Sequence, residues 1–229
     1  MVALTYVGAI PCGCPYALRE FINMKILRYE IISEQTLLTG LKKTRLKGHE
    51  QPYIYANSTL TIQEGIDPNT LVPAQRYVLE SDYDTIKMLY TDFEQHSIDI
   101  FALKGGIQFW IKKPDTGEEG PIPLTPPIIE ESLESDGKRV LLINDGMHRV
   151  YTARKLGKKI NVILVQNVPV EYPYYAYPLK NGWADVVELP EIPNTFVKKE
   201  YRDKENYKAL FRNFNEVFPN IQKQRKKTQ

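Results

Sequence analysis

The clearest hydrophobic pattern in the chain lies between Arg139 and Gln166, RVLLINDGMHRVYTARKLGKKINVILVQ. Val140, Leu141, Leu142 and Ile143 form an unbroken apolar run, which suits a strand buried on both faces. Asp145-Gly146 interrupts it, Asp being a strong helix N-cap and Gly tolerating backbone angles that other residues avoid. From Met147 onward the apolar positions Met147, Val150, Tyr151, Ala153 and Leu156 fall at helical spacing, and Gly157 is placed to end the helix. Residues 160–165 return to a β-rich run. Strand, helix and strand in so short a span predict a right-handed crossover between parallel or near-neighbour strands.

The rest of the chain divides by the same logic. Residues 16–26 read as a short helix, and residues 27–47 fit helix or strand equally well. Residues 52–62 read as β structure through Tyr53, Tyr55, Leu60 and Ile62, with a break at Asn57-Ser58. Asp67-Pro68-Asn69 is a turn. Residues 77–93 place Leu79, Tyr83, Ile86, Leu89, Tyr90 and Phe93 on one helical face. Residues 98–112 read as a β-hairpin turning at Gly105-Gly106, its Ile107, Phe109 and Trp110 covering core surface. Pro, Gly and Glu then make residues 114–127 an exposed loop. A strand is predicted over 127–132. Residues 168–183, VPVEYPYYAYPLKNGW, hold five aromatics among three prolines, which rules out regular helix or a central strand. Such a segment either packs its rings on the core or walls a pocket with them. After a linker at 189–193, residues 203–218 read as an amphipathic helix through Tyr207, Leu210, Phe211, Phe214, Val217 and Phe218, a stripe that serves as core or as a dimer seam.

Candidate chemistry concentrates at the front of the helix that begins near Met147. Asp145, Gly146, His148 and Arg149 meet at a helix N-terminus, whose amides and positive dipole end attract anions. Gly146 allows close approach to the backbone, Arg149 offers a fork suited to phosphate oxygens, and His148 is able to donate to a phosphate or move a proton. The competing reading is a capped helix whose His and Arg face solvent.

These residues also carry a family resemblance. PPIIEES followed by RVLLINDGMHRVYTARKLGKKINVILVQ resembles the core of the ParB/sulfiredoxin-like superfamily, and Pro73-Ala74-Gln75-Arg76 is similar to the Pro-x-Gln-x-Arg region that opens a ParB core. The resemblance covers about residues 67–178, and DGMHR is its specific part. It implies an α/β fold with a ParB/sulfiredoxin-like mixed sheet, a hairpin and loop insertion at about 98–126, and a C-terminal helix. It also implies a nucleoside di- or triphosphate (ATP, ADP or CTP) with Mg²⁺ at the loop. Gly146, Met147, His148 and Arg149 would bind the phosphates, Gln75 and Arg76 would line the nucleotide side, and Asp145 would act as metal ligand or base with His148 assisting. A sulfiredoxin activity is excluded, because that chemistry needs a Cys thiolate where Met147 stands. The loop is closest in form to that of free-serine kinases, yet Gln75 occupies the place of their catalytic Glu, and a neutral amide cannot act as a base.

Bulk properties narrow the classes further. The 229 residues suffice for about one domain: an N-terminal extension over 1–66, the core over 67–180, and a C-terminal extension with a basic tail over 181–229. A net charge of +2 gives no global pull on nucleic acid or membrane. No run reaches the roughly 20 apolar residues of a membrane helix. Cys12 and Cys14 are the only cysteines, which fits a reduced, cytoplasmic protein better than a disulfide framework or a zinc site completed by His49 and His96. The favoured reading is a kinase-like enzyme transferring a phosphoryl group to an unknown acceptor. The alternative is a ParB-like, DNA-associated partition, regulatory or nuclease-like protein using nucleotide as a switch. DNA is the less favoured partner, since no compact helix-turn-helix set follows the core. A homodimer through the C-terminal helix is the expected self-association.

Overall fold

The computed structural model describes residues 25–48, 53–113, 117–214 and 217. The elements run β1 (Lys25–Ile32), α1 (Glu34–Leu41), β2 (Arg45–Leu46), β3 (Thr59–Ile66), β4 (Tyr77–Leu79), α2 (Glu80–Glu94), β5 (Gly106–Lys113) and β6 (Gly117–Leu124). They continue β7 (Ile128–Leu133), β8 (Arg139–Asp145), α3 (Met147–Lys155), β9 (Ile160–Gln166), β10 (Val187–Leu189) and β11 (Arg212–Asn213). The fold is α/β around a mixed sheet ordered β3-β9-β7-β8. The helix expected over 16–26 falls almost entirely outside the described residues, as do Cys12, Cys14, His49 and the basic tail.

The central sheet is covered on both faces. Along β9, Ile160 and Val162 face one core with Ile86, Leu89 and Phe93 of α2 and Val150 of α3. The alternate residues Ile163 and Val165 face a second core with Leu37 and Leu41 of α1. This double burial explains why β8 and β9 read as unbroken apolar runs. The crossover differs from the sequence-based expectation. β8 and β9 are not neighbours: β7 lies between them, antiparallel to β8 and parallel to β9. The parallel pair is thus β7 and β9, and the connection between them is β8 together with α3.

Four further elements depart from the sequence reading. The first strand-forming residues of the predicted helix over 77–93 pair with β10 in parallel, so α2 begins only at Glu80. The hairpin pairs β5 with β6, Lys113 opposite Gly117, so its turn does not lie at Gly105-Gly106. Gly105 instead packs where a Cβ would lie 2.2 Å from the Ile32 carbonyl oxygen, which explains the small residue without a turn. The stretch expected as a loop forms β6, an edge strand, where its prolines at 121 and 123 are tolerated.

The C-terminal helix is a further departure. In place of the helix expected over 203–218, the described residues form a 3-10 turn over Tyr207–Leu210, followed by β11. β11 pairs with β2, Arg212 opposite Leu46 and Asn213 opposite Arg45. Leu210, Phe214 and Val217 pack into the second core beside Leu37 and Leu41, so this part of the apolar stripe is buried within the chain. Tertiary pairing here outweighs a local helical period. Phe218 lies outside the described residues.

Candidate functional site

The site is built at the junction of β8 and α3. Asp145 ends β8, and Gly146 is the N-cap of α3 with φ 86° and ψ 22°, a left-handed conformation that favours glycine. A Cβ at Gly146 would lie 2.7 Å from Arg149 Nη2 and 2.9 Å from Pro127 Cβ, so both backbone angle and space require glycine here. Asp145 does not cap the helix, contrary to the sequence expectation, and no side chain does. Its carboxylate turns instead to Arg149, 3.2 Å from Nη2. The first intrahelical bond runs from the Val150 amide to the Gly146 carbonyl at 3.0 Å. The amides of Met147, His148 and Arg149 therefore come before the helical ladder and point out of its end.

The other candidates divide. Met147 is 8% exposed and its side chain belongs to the first core, leaving its backbone to the loop. His148 is also buried, its Nδ1 3.3 Å from the Asp82 carboxylate in the first turn of α2. Arg149 lies folded over Gly146, largely covered. Gln75 is buried and donates from Nε2 to the Tyr77 carbonyl at 2.8 Å. Arg76 lines a separate cleft of about 320 Å³ with Leu179, Lys180, Asn181, Asp185 and Glu200, and none of residues 145–149 lines it. The structure thus gathers 145–149 and places Arg76 elsewhere.

Two groups that sequence reasoning did not select stand next to the loop. The Tyr174 hydroxyl donates to the Asn144 carbonyl at 3.4 Å, and burial pushes its pKa well above the ordinary phenol value, keeping the proton. Lys199 donates to the hydroxyls of Tyr174, at 3.3 Å, and Tyr175. Of the two readings the sequence left open for residues 168–183, the structure shows the first: Tyr174 and Ala176 pack with Leu142 and Ala74, and the Tyr174 hydroxyl reaches the Asn144 carbonyl.

Beneath the loop lies a buried polar network. Glu130 of β7 accepts from Arg212 Nε and Nη2 at 2.9 Å each, from the Tyr55 hydroxyl and from Asn144 Nδ2. The remaining Arg212 donors reach the carbonyls of Leu210, Pro173 and Tyr172. Burial works against the Arg212 charge, but the Glu130 carboxylate overrides it and holds the guanidinium above its usual range. Glu131 is engaged by Arg139 at 2.7 Å and by Gln166. Among the described residues, no group of three or more His, Cys, Asp or Glu side chains is arranged to hold a metal ion. Asp145 is an acidic side chain of the loop itself, and its carboxylate is paired with Arg149.

Burial pushes the His148 imidazole below its ordinary value; Asp82 raises it, Arg149 lowers it, Asp145 raises it and Lys199 lowers it. A histidine with a depressed native pKa binds fewer protons folded than unfolded. Stability should therefore fall as pH drops below about 6.5, by at most about 1.4 kcal/mol per pH unit. Urea denaturation at about pH 7.5 and 5.5 should show a smaller difference for His148→Gln than for the parent chain. An equal difference in the two would remove His148 as the cause.

A protein-family model described as ParB CE domain matches residues 36–187. No curated protein and no solved structure matches the chain. The described residues contain no helix long and apolar enough to cross a membrane.

Proposed function

Since the chain belongs to the ParB CE domain family, we propose that it is a ParB-like, DNA-associated module that binds a nucleoside di- or triphosphate with Mg²⁺ as a switch. The phosphates would sit at the amides of Gly146–Arg149, with Arg149 swinging from Asp145 to the ligand. One observation carries this reading: a left-handed glycine at the start of α3, with a guanidinium already folded across it. A helix N-terminus with an adjacent arginine fork offers both a dipole and charge-assisted donors to an anion. Mg²⁺, when present, would neutralise phosphate charge, with Asp145 as the protein ligand once Arg149 has moved. His148, buried against Asp82, would fix the first turn of α3 rather than reach the ligand through its ring.

Two features make a switch the better reading than the kinase-like one. Asp145, the candidate base, is paired with Arg149, and Gln75 is buried with its amide directed at a backbone carbonyl. The kinase-like reading keeps one point in its favour, since Asp145 is about one-third exposed and can reach a bound phosphate chain.

Calorimetric titration with ATP, ADP, CTP and GTP plus Mg²⁺ tests the site. Arg149→Ala should weaken binding roughly tenfold or more, the loss of one charge-assisted contact. Unchanged affinity in a folded Arg149→Ala variant would leave α3 as a plain structural helix. Nucleotide-sensitive DNA binding that falls steeply with salt supports the switch. Acceptor-dependent nucleotide consumption, lowered in Asp145→Asn, would favour the enzyme instead.

A further inference from the structure

The candidate loop is contained in the family-matched part of the chain, but one cation beside it is not. Lys199 lies beyond residue 187, on a segment that reaches Tyr174, whose hydroxyl meets the end of β8. That segment is held in place by its backbone: Arg76 N–H donates to the Lys198 carbonyl at 3.0 Å, Tyr177 N–H to the Glu200 carbonyl at 2.8 Å, and Arg202 N–H to the Tyr175 carbonyl at 3.1 Å. Arg202 Nη2 also donates to both Glu134 carboxylate oxygens, at 2.7 and 2.8 Å, fixing the segment to the turn between β7 and β8. The position of Lys199 is thus set from both sides in sequence.

Its partners are unusual for an ammonium on a fixed segment. Lys199 donates to the hydroxyls of Tyr174 and Tyr175 and lies over both rings, 5.6 and 4.7 Å from their centroids. No carboxylate of the described residues pairs with it; the acidic neighbour Glu200 faces Arg76. Tyr174 passes the contact on, since its hydroxyl donates to the Asn144 carbonyl at the end of β8. The cation is therefore two hydrogen bonds from the residue preceding Asp145-Gly146. Its charge is felt within the loop, where it lowers the His148 pKa. Phenol oxygens orient an ammonium without neutralising it, so the net positive charge remains for an anion.

We propose that Lys199 is a phosphate-binding residue of this same site, selecting a polyphosphate over a monophosphate by adding a second fixed cation opposite Arg149. This rests on the reading of the loop as a phosphate site and deepens it. One helix end and one arginine can satisfy a single phosphate. A second ammonium, held at a distance by the Tyr174 and Tyr175 hydroxyls, gains most from a ligand whose charge extends beyond that phosphate. The C-terminal extension would then complete a site that the family-matched residues begin.

Calorimetric titration of the full chain with Mg-ATP, Mg-CTP, pyrophosphate and the matching monophosphates distinguishes the outcomes. Lys199→Gln should weaken the triphosphate about tenfold while changing the monophosphate much less, and Lys199→Arg should retain most of the preference. Tyr175→Phe, which loosens the ammonium without removing it, should fall between. A merely structural lysine would weaken both ligand classes alike or neither, and either result overturns the proposal. If Arg149→Ala loses affinity but Lys199→Gln does not, the phosphate site stands and this role for Lys199 falls. If the parent chain binds none of these ligands, the reading of the loop and this proposal fall together.

Discussion

Replacing Glu130 with alanine is expected to lower folding stability by about 3–5 kcal/mol, because it leaves an uncompensated buried guanidinium. The side chains of Arg212 and Glu130 are 1% and 3% exposed, so water cannot take over the lost contacts without opening the core. Three groups converge on this carboxylate of β7 from three other parts of the chain: Arg212 of β11, Asn144 of β8 and Tyr55 ahead of β3. The loss is a large share of the roughly 5–15 kcal/mol that holds a typical domain. Urea denaturation followed by circular dichroism measures it. Arg212→Ala should cost a similar amount, and the two losses should be strongly non-additive in the double variant because they break one interaction. Replacing both with apolar residues of similar volume should restore much of the stability, since a buried ion pair stabilises little relative to a packed core. A single-variant loss under about 1 kcal/mol would mean that the network is not buried in solution.

The position of this network bears on function. Asn144, one of its members, is the residue through which Tyr174 meets the loop, and it directly precedes Asp145. The C-terminal segment is thus tied twice to the candidate site, through Arg212 below and Lys199 beside it.

What the sequence made legible follows from where the signal was local. The residues at 139–166 announced strand, turn, helix and strand because β8 and β9 are buried on both faces and the helix between them ends at a left-handed glycine, Gly157. Asp145, Gly146, His148 and Arg149 stood out because they are adjacent. Asp82, Lys199 and Arg212 did not, because their importance arises only when α2, the returning segment and β11 are brought to the loop and to Glu130. A lysine among 30 basic residues carries no local mark of its partners. The stripe at Tyr207, Leu210, Phe211 and Phe214 misled for the same reason: its spacing suits a helix, but the pairing of Arg212 with Leu46 and with Glu130 fixes the backbone as strand. Gly105-Gly106 suggested a turn, whereas the first glycine answers to a close backbone approach from Ile32.

Gly146→Ala should combine a stability loss with the disappearance of phosphate binding, and a second glycine separates the two causes. The left-handed angle alone penalises an alanine by about 1–2 kcal/mol. At Gly157, φ is 64° and an added Cβ meets nothing within 4 Å, so Gly157→Ala should show that backbone penalty and little more. At Gly146 the φ is comparable, 86°, but the new methyl would lie 2.9 Å from Pro127 Cβ and 3.0 Å from Pro127 Cα. Proline is rigid there, and overpacking of this kind costs about another 1–3 kcal/mol. Arg149 would have to leave as well, since its Nη2 would stand 2.7 Å from the same methyl. The difference between the two variants in urea denaturation therefore reads the close approach at the loop. The difference in nucleotide titration reads the site: Gly157→Ala, at the far end of α3, should bind as the parent does, whereas Gly146→Ala should lose affinity by well over the roughly tenfold expected for Arg149→Ala. Loss of binding in both variants would point to a general loosening of α3, and retained binding in Gly146→Ala would move the phosphates away from this loop altogether.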